Sequence, residues 1–102
     1  MKIHTHVLEW EGIAIDIKHD DAWYTGGEDF NVQHIEVQSW ERQKLPITET
    51  GYRSHFVTAA RGENPISPYD TAKEYVQAWL DYEAQSKEWK DYAASQQQLN
   101  LF

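Results

Sequence analysis

Apolar and polar residues alternate in the first half of the chain, which is the pattern of β-strands that bury one face. The isoleucines from Ile13 to Ile17 stand at every second position, so a strand would place all of them on one side. Residues 7–10 form an earlier apolar stretch, and Glu11-Gly12 between the two stretches is a turn signal. The pattern therefore predicts a β-hairpin over residues 7–18.

Further along the chain, strand patterns are separated by loop signals. Trp23 and Tyr24 fall in one of the loops, where we expect their rings to pack over the sheet edge. Pro46 interrupts the pattern between two strands, because proline cannot donate a hydrogen bond to a central strand. The predicted strands are residues 30–40 and 51–57, and the predicted loops are residues 20–29 and 62–68.

The last third of the chain carries apolar residues at helical spacing. Ser67 is a predicted N-cap and Pro68 a predicted first helical residue, because both types are favoured at those positions. Ser86 is a second candidate cap, so the pattern leaves open whether one long helix passes through Gln85-Ser86 or two helices meet there. The apolar stripe expected to face the sheet is Ala72, Tyr75, Val76, Trp79 and Leu80.

Strands followed by helices predict an α+β fold, with an antiparallel sheet of about four strands covered on one face by a C-terminal helix or helices. The strands occupy the N-terminal two-thirds of the chain. We expect a single domain over residues 1–94. Residues 95–102, which include consecutive glutamines, are predicted to form a flexible tail.

Composition narrows the range of functions. The chain of 102 residues has a net charge of −8, which disfavours nucleic-acid binding by phosphate neutralisation. It contains no cysteine, which excludes disulfides and cysteine-based metal sites and favours a reducing compartment. The first residues lack a signal-peptide pattern, and no stretch has the length of a membrane span. We therefore expect a cytoplasmic protein.

Acidic residues are concentrated between Glu9 and Glu36, where Lys18 is the only lysine or arginine. One interpretation is a solvated acidic face. The other is a surface for a basic protein partner, in which case the chain is an acidic inhibitor of a host DNA-handling protein such as a restriction or CRISPR nuclease. That alternative predicts an association that weakens as salt is added.

Catalytic and metal-binding patterns are weak. His4 and His6 share one face of a predicted strand, but a three-histidine site also needs His34 or His55 to converge on them, and the pattern leaves this open. Ser54 and His55 are neighbours in a strand, so they point to opposite faces and do not make a nucleophile with its base. We predict no enzyme activity, no cofactor and no metal site.

Residues 45–56 read Leu-Pro-Ile-Thr-Glu-Thr-Gly-Tyr-Arg-Ser-His-Phe. They resemble a signature of small proteins carried by bacterial plasmids and integrating elements, and the likeness extends over most of the chain. The resemblance implies a mobile-element setting and no assigned activity. If Tyr52 and Phe56 are core residues, Arg53 and His55 form an exposed cationic patch for a carboxylate or phosphate. The alternative is that Arg53 pairs with an acid on the neighbouring strand.

The last residues, Gln98-Leu99-Asn100-Leu101-Phe102, resemble the short peptide by which bacterial replication and repair proteins dock on the DNA polymerase sliding clamp. The resemblance implies that Leu99, Leu101 and Phe102 enter an apolar pocket of the clamp and that Gln98 binds its rim, with the segment ordering on binding. The alternative is that these residues complete the core. Our leading hypothesis is a non-enzymatic accessory protein of a bacterial mobile element that docks on the clamp.

Overall fold

The structure is a computed structural model that describes residues 3–24 and 30–99. Its strands form a single antiparallel sheet in the order β1-β2-β3-β4, so each strand pairs with its neighbour in the sequence. Two helices follow the sheet, which confirms the predicted α+β fold. The elements are β1 (Ile3–Trp10), β2 (Ile13–Tyr24), β3 (Phe30–Ser39), β4 (Tyr52–Ala60), α1 (Ala72–Glu83) and α2 (Lys87–Leu99).

The predicted hairpin is present and is closed by the predicted turn. Trp10 pairs with Ile13 across the turn. Glu11 and Gly12 both have positive φ, 49° and 80°. Positive φ at both central residues gives the turn a twist that matches the right-handed twist of the strands. The local sequence therefore sets the register of β1 against β2.

The prediction of a loop from residue 20 is wrong at its start, because β2 continues to Tyr24. Asp20 pairs with Ile3 on one side and with His34 on the other. Backbone partners on both sides outweigh the low strand propensity of aspartate. The register shifts between Asp20 and Tyr24, and Tyr24 then pairs with Val32. Residues 25–29 lie outside the described residues, and the side chains of Trp23 and Tyr24 are not described either. The predicted packing of these two rings over the sheet edge therefore falls outside the described part of the chain.

The core lies between one face of the sheet and the helices. Ile35 and Val37 on β3 are fully buried on that face. On α1, Val76 and Leu80 are fully buried, and the indole Nε1 of Trp10 donates a 2.8 Å hydrogen bond to Asp81. The predicted stripe is confirmed, with Tyr75 and Trp79 partly buried against the core. The buried apolar residues are Leu8, Trp10, Ile15, Ile17, Ile35, Val37, Leu45, Ile47, Val57, Ile66, Ala72, Val76, Leu80 and Trp89.

The predicted start of the first helix is wrong, because α1 begins at Ala72 rather than near Pro68. Thr71 is the N-cap: its Oγ1 accepts a 3.2 Å hydrogen bond from the Glu74 backbone N–H and donates to the Glu74 carboxylate. This threonine and glutamate have the three-residue spacing of a capping box, a strong helix-start signal, with the Glu74 carboxylate accepting from the Thr71 hydroxyl. Ser67 lies instead in the preceding turn, next to Ile66, which is buried in the core.

The sequence left open whether one helix passes through Gln85-Ser86, and the structure shows two helices with a break there. The backbone N–H of Ala84 closes α1 with a 2.8 Å hydrogen bond to the Leu80 carbonyl. Ser86 then caps α2, since its Oγ accepts a 3.2 Å hydrogen bond from the Trp89 N–H. The Trp89 ring lies 5.5 Å from that of Trp10, so the start of α2 packs on the same face as α1. Neither helix in the described part of the chain combines the length and apolar content needed to cross a bilayer.

The connection from β3 to β4 closes one end of the core. Leu45 and Ile47 are buried. Leu45 and Thr48 exchange backbone hydrogen bonds of 2.9 and 3.1 Å. Gly51 has a φ of 84°, and its carbonyl accepts a 2.8 Å hydrogen bond from the Ser39 N–H. Residues 45–51, the first part of the signature, therefore have a structural role.

We expect Gly51→Ala to destabilise the domain more than Gly62→Ala. Both glycines have positive φ, 84° and 86°, which costs an alanine about 1–2 kcal/mol. A Cβ at Gly51 would also lie 2.6 Å from Ser39 Oγ and 2.7 Å from the Arg42 carbonyl carbon, whereas nothing lies within 4 Å at Gly62. Overpacking of this kind adds about 1–3 kcal/mol. Urea unfolding measures both free energies, and equal losses would show that the contact with Ser39 is not tight.

Candidate functional site

The two faces of the sheet have different environments. One face carries the helices and the core. The other, which we call the open face, carries the alternate residues of every strand, and Val7, Asp16, Gln38 and Tyr52 are aligned across it by the strand register. These side chains are exposed to solvent. The open face is therefore available to a partner.

Large apolar side chains are exposed on the open face. Val7 is 53 % exposed, Tyr52 41 % and Phe56 51 %. Trp40, in the short turn that follows β3, is 53 % exposed as well. Isolated exposed apolar residues are common, but several on one face indicate a binding surface. The exposed apolar strand residues of the open face are Ile3, Val7, Phe30, Tyr52 and Phe56.

The open face is also acidic. Its solvent-accessible charged side chains on the described strand residues are Glu9, Asp16 and Glu36 against Lys18, and Asp20, at the end of the face, is buried. Lys18 stands directly opposite Glu36 in the register. The phenol of Tyr52 donates a 2.9 Å hydrogen bond to the Glu36 carboxylate, and this bond raises the pKa of Tyr52. The hydrogen bond therefore ties the Tyr52 ring to β3 on the open face.

A shallow depression of about 470 Å³ occupies the middle of the open face. Val7 and Tyr52 stand at its two sides, on β1 and β4, and Asp16 and Glu36 line it between them. The depression thus offers apolar walls and carboxylate oxygens to one ligand group.

Arg53 and His55 lie on the opposite face from the one that the cationic-patch hypothesis requires. That hypothesis placed Tyr52 and Phe56 in the core, whereas both are on the open face. Arg53 pairs with Val37 and His55 with Ile35, which are core residues of β3. The register therefore turns Arg53 and His55 toward the helices, where Arg53 is exposed and His55 is partly buried.

Both side chains are held by aromatic rings of α1. The Arg53 guanidinium lies 5.6 Å from the centre of the Trp79 ring and donates a 3.2 Å hydrogen bond to the Ile47 carbonyl. The His55 ring lies 4.4 Å from that of Trp79, and its Nε2 is 3.2 Å from the Tyr75 hydroxyl. Burial, and secondly the charge of Arg53, lowers the pKa of His55. These contacts give Arg53 and His55 a structural role at the sheet edge. Binding of a carboxylate or phosphate by the two residues stays a prediction.

The histidines singled out in the sequence do not converge. His4 and His6 are on the helix-covered face of β1, His34 is on the open face of β3, and His55 is on the far edge strand. His19, which sequence reasoning missed, is the true neighbour of His4, with ring centres 5.7 Å apart. The antiparallel register, which pairs His4 with His19, was the available signal.

The histidine cluster on β1 and β2 is linked by hydrogen bonds. His4 Nε2 lies 2.8 Å from a carboxylate oxygen of Asp21, and His19 Nε2 lies 2.6 Å from the Gln33 amide oxygen. Within the described residues, no group of histidine, cysteine, aspartate or glutamate side chains is arranged to hold a metal ion. The cluster therefore joins the first three strands at their common end.

Ser54 and His55 point to opposite faces, as predicted. Ser54 instead meets a histidine across the sheet: its Oγ lies 2.6 Å from His34 Nε2. The Phe56 ring is stacked on His34 at 4.6 Å between ring centres. The contact ties β3 to β4 on the open face. A serine nucleophile would in addition need donors aimed at the oxyanion of its substrate.

The described side chains of α2 become exposed shortly before the C-terminal segment. Tyr92 is covered by Lys44, whose Nζ lies 4.6 Å from the ring centre, and Ala93 still packs against the core. Residues 94–96 are exposed. The helix continues to Leu99, so residues 95–99 are helical where a flexible tail was expected. Of the predicted docking residues, Leu101 and Phe102 lie outside the described residues, as do the side chains of Gln98 and Leu99.

Comparison with known families gives a match over most of the chain. The family described as the KlcB third domain matches residues 3–89. The chain belongs to this family. The family is plasmid-associated, which agrees with the mobile-element setting expected from residues 45–56. The matched region contains the whole sheet, α1 and the start of α2, and it ends before Gln98. No curated protein and no solved structure matches the chain.

We expect the stability of the domain to fall as the pH falls below about 6.5, the ordinary pKa of histidine. Burial lowers the pKa of His6 and of His55 in the folded protein. As the pH falls, the unfolded chain therefore takes up protons at a higher pH than the folded protein does. This difference favours unfolding until the pH falls below the folded-state pKa values. Urea unfolding between pH 7.5 and pH 5 measures the effect. A His6→Asn/His55→Asn variant should show a smaller slope, and an unchanged slope would contradict the assignment.

Arg53→Gln should raise the pKa of His55 toward its ordinary value, because the variant removes a neighbouring positive charge. Histidine-ring NMR signals followed through a pH titration measure this pKa directly. His6 lies on the other edge strand, so its pKa serves as the internal control and should stay where it is. A His55 pKa that does not move would show that Arg53 is too well solvated to act on it.

Proposed function

We propose that this chain is a non-catalytic accessory domain of bacterial plasmids that acts by binding other proteins, and that Gln98–Phe102 docks it on the host's DNA polymerase sliding clamp. The coarse part, a plasmid accessory domain, rests on the family match over residues 3–89. The docking part rests on the Gln-Leu-Asn-Leu-Phe sequence. The proposal places the protein in the cytoplasm, where the clamp acts.

The chemistry of the segment suits a preformed groove. Leu99, Leu101 and Phe102 are large apolar side chains, and burying each in a partner's pocket contributes about 1.5–3 kcal/mol. Gln98 carries an amide that can both donate and accept hydrogen bonds at the groove's rim. Because a short segment must lose conformational entropy on binding, the affinity is expected to be modest and the complex exchangeable.

The course of α2 supports the docking proposal. The helix packs against the core through Trp89, Tyr92 and Ala93, and its next residues, 94–96, are exposed. The last described side chains before the motif, those of residues 94–96, are therefore accessible to a partner. A partner can approach this end without displacing a core residue of α2 from the described structure.

The test is a titration of the purified clamp of the host bacterium with the full chain, followed by calorimetry. We expect saturable binding with a dissociation constant in the micromolar range. A Leu101→Ala/Phe102→Ala variant should bind at least about tenfold more weakly, since the loss of an anchor commonly costs more than 1.4 kcal/mol.

Gln96→Ala is the matched control for the clamp titration, because Gln96 is exposed on the same helix and precedes the motif. It should bind the clamp as the unchanged chain does. Equal affinities for the full chain and the Leu101→Ala/Phe102→Ala variant, or binding by neither, would remove the docking proposal and leave the plasmid accessory domain without an assigned partner.

A further inference from the structure

We propose that the open face is a second docking surface, separate from Gln98–Phe102, and that its partner is a protein surface on which lysine or arginine side chains surround apolar groups. The proposal uses only strand residues and goes beyond clamp docking. It gives a structural location to the acidic surface that the sequence suggested between Glu9 and Glu36.

The first argument is the arrangement of the apolar groups. Val7, Tyr52 and Phe56 are each about half exposed on two different strands of one face. Strands alternate between faces, so these positions were free to be polar without any cost to the core. Tyrosine and phenylalanine are also residue types that supply much of the binding energy at interfaces. The apolar part of the open face therefore fits an interface better than a solvated surface.

The second argument is the sign of the charge. The described strands present three accessible carboxylates on this face, those of Glu9, Asp16 and Glu36, and one lysine, Lys18, and the whole chain has a net charge of −8. A second copy of the chain would bring the same carboxylates against each other, and like charges across an interface are costly. Nucleic-acid phosphates would be repelled for the same reason. A basic protein surface is the complementary partner.

The third argument is the shape of the central depression. Its two sides, Val7 on β1 and Tyr52 on β4, are three strand spacings apart, which is about 14 Å. The stem of an arginine or lysine side chain can pack along the Tyr52 ring while its cation reaches Asp16. The hydrogen bond from Tyr52 to Glu36 holds the ring in position before the partner arrives. A preorganised ring lowers the entropy cost of binding.

The experiment uses the Leu101→Ala/Phe102→Ala chain, so that failure of clamp docking cannot affect the result. The ¹⁵N-labelled protein is titrated with a synthetic peptide of alternating lysine and leucine. Matched peptides of alternating glutamate and leucine, and of lysine alone, are the comparison. We expect amide shifts at Val7, Asp16 and Tyr52 with the first peptide, no shifts with the glutamate peptide, and weaker binding by lysine alone.

Two pairs of variants test the surface itself. Tyr52→Ala and Asp16→Asn should each weaken binding of the lysine-leucine peptide by at least about fivefold, which is the effect of a loss near 1 kcal/mol at an interface. Their controls are Tyr82→Ala, a tyrosine that is 70 % exposed on α1, and Glu88→Gln, an exposed glutamate on α2. Both controls should bind normally. Asp16→Asn keeps the side-chain shape, so it tests the proposal even if Tyr52→Ala fails to fold.

Three outcomes would overturn the proposal. In the first, the amide shifts spread over the helices, or the control variants lose as much affinity as Tyr52→Ala and Asp16→Asn. Either result would mean that the peptide is attracted by the overall charge of the protein and not by the open face. In the second, the glutamate peptide binds equally well. In the third, sedimentation shows a dimer that Tyr52→Ala dissociates, which would make a second copy the occupant of the open face.

Discussion

The helices cover one face of a four-stranded sheet, and the strand period of two divides every strand into a buried set and an open set of side chains. The buried set meets α1 and the start of α2, and the hydrogen bond from Trp10 to Asp81 fixes the helical layer to the first strand. The open set has no such cover in the described part of the chain. The division between the two sets therefore puts Val7, Tyr52 and Phe56 on the solvent-facing side of the sheet.

The same division explains residues 45–56. Leu45 and Ile47 are buried, the Gly51 carbonyl accepts a hydrogen bond from the Ser39 N–H, and the Arg53 guanidinium lies over the Trp79 ring. These residues close the end of the core and attach β4 to the helices, so much of the signature serves the fold. Tyr52 and Phe56, which alternate with them, are the part of the signature that faces solvent. A single stretch of sequence thus contributes structure through one face and a candidate binding surface through the other.

The family match includes one of the two proposed surfaces and ends before the other. The match covers residues 3–89, which include the open face but not Gln98–Phe102. The open face is thus built entirely from the region shared with a plasmid-associated family, whereas the proposed clamp peptide is additional to it. The open face and the end of α2 belong to different layers of the domain. The two proposed surfaces would let one domain hold two proteins together, one at each surface.

The sequence by itself determined the features that depend on neighbouring residues. The Glu11-Gly12 turn and the alternating isoleucines of β2 are local, and so is the apolar stripe from Ala72 to Leu80. Tertiary structure decided what depends on pairing between strands. Alternate residues of β4 form two sets. Tyr52, Ser54 and Phe56 lie on one face, and Arg53, His55 and Val57 lie on the other. The first set has the larger apolar side chains, yet it is the set on the open face. Only the register with Ile35 and Val37, which are buried on β3, settles which set faces the core. Likewise His19 becomes a neighbour of His4 only when β1 and β2 are paired, because contacts between distant residues are set by how the strands align.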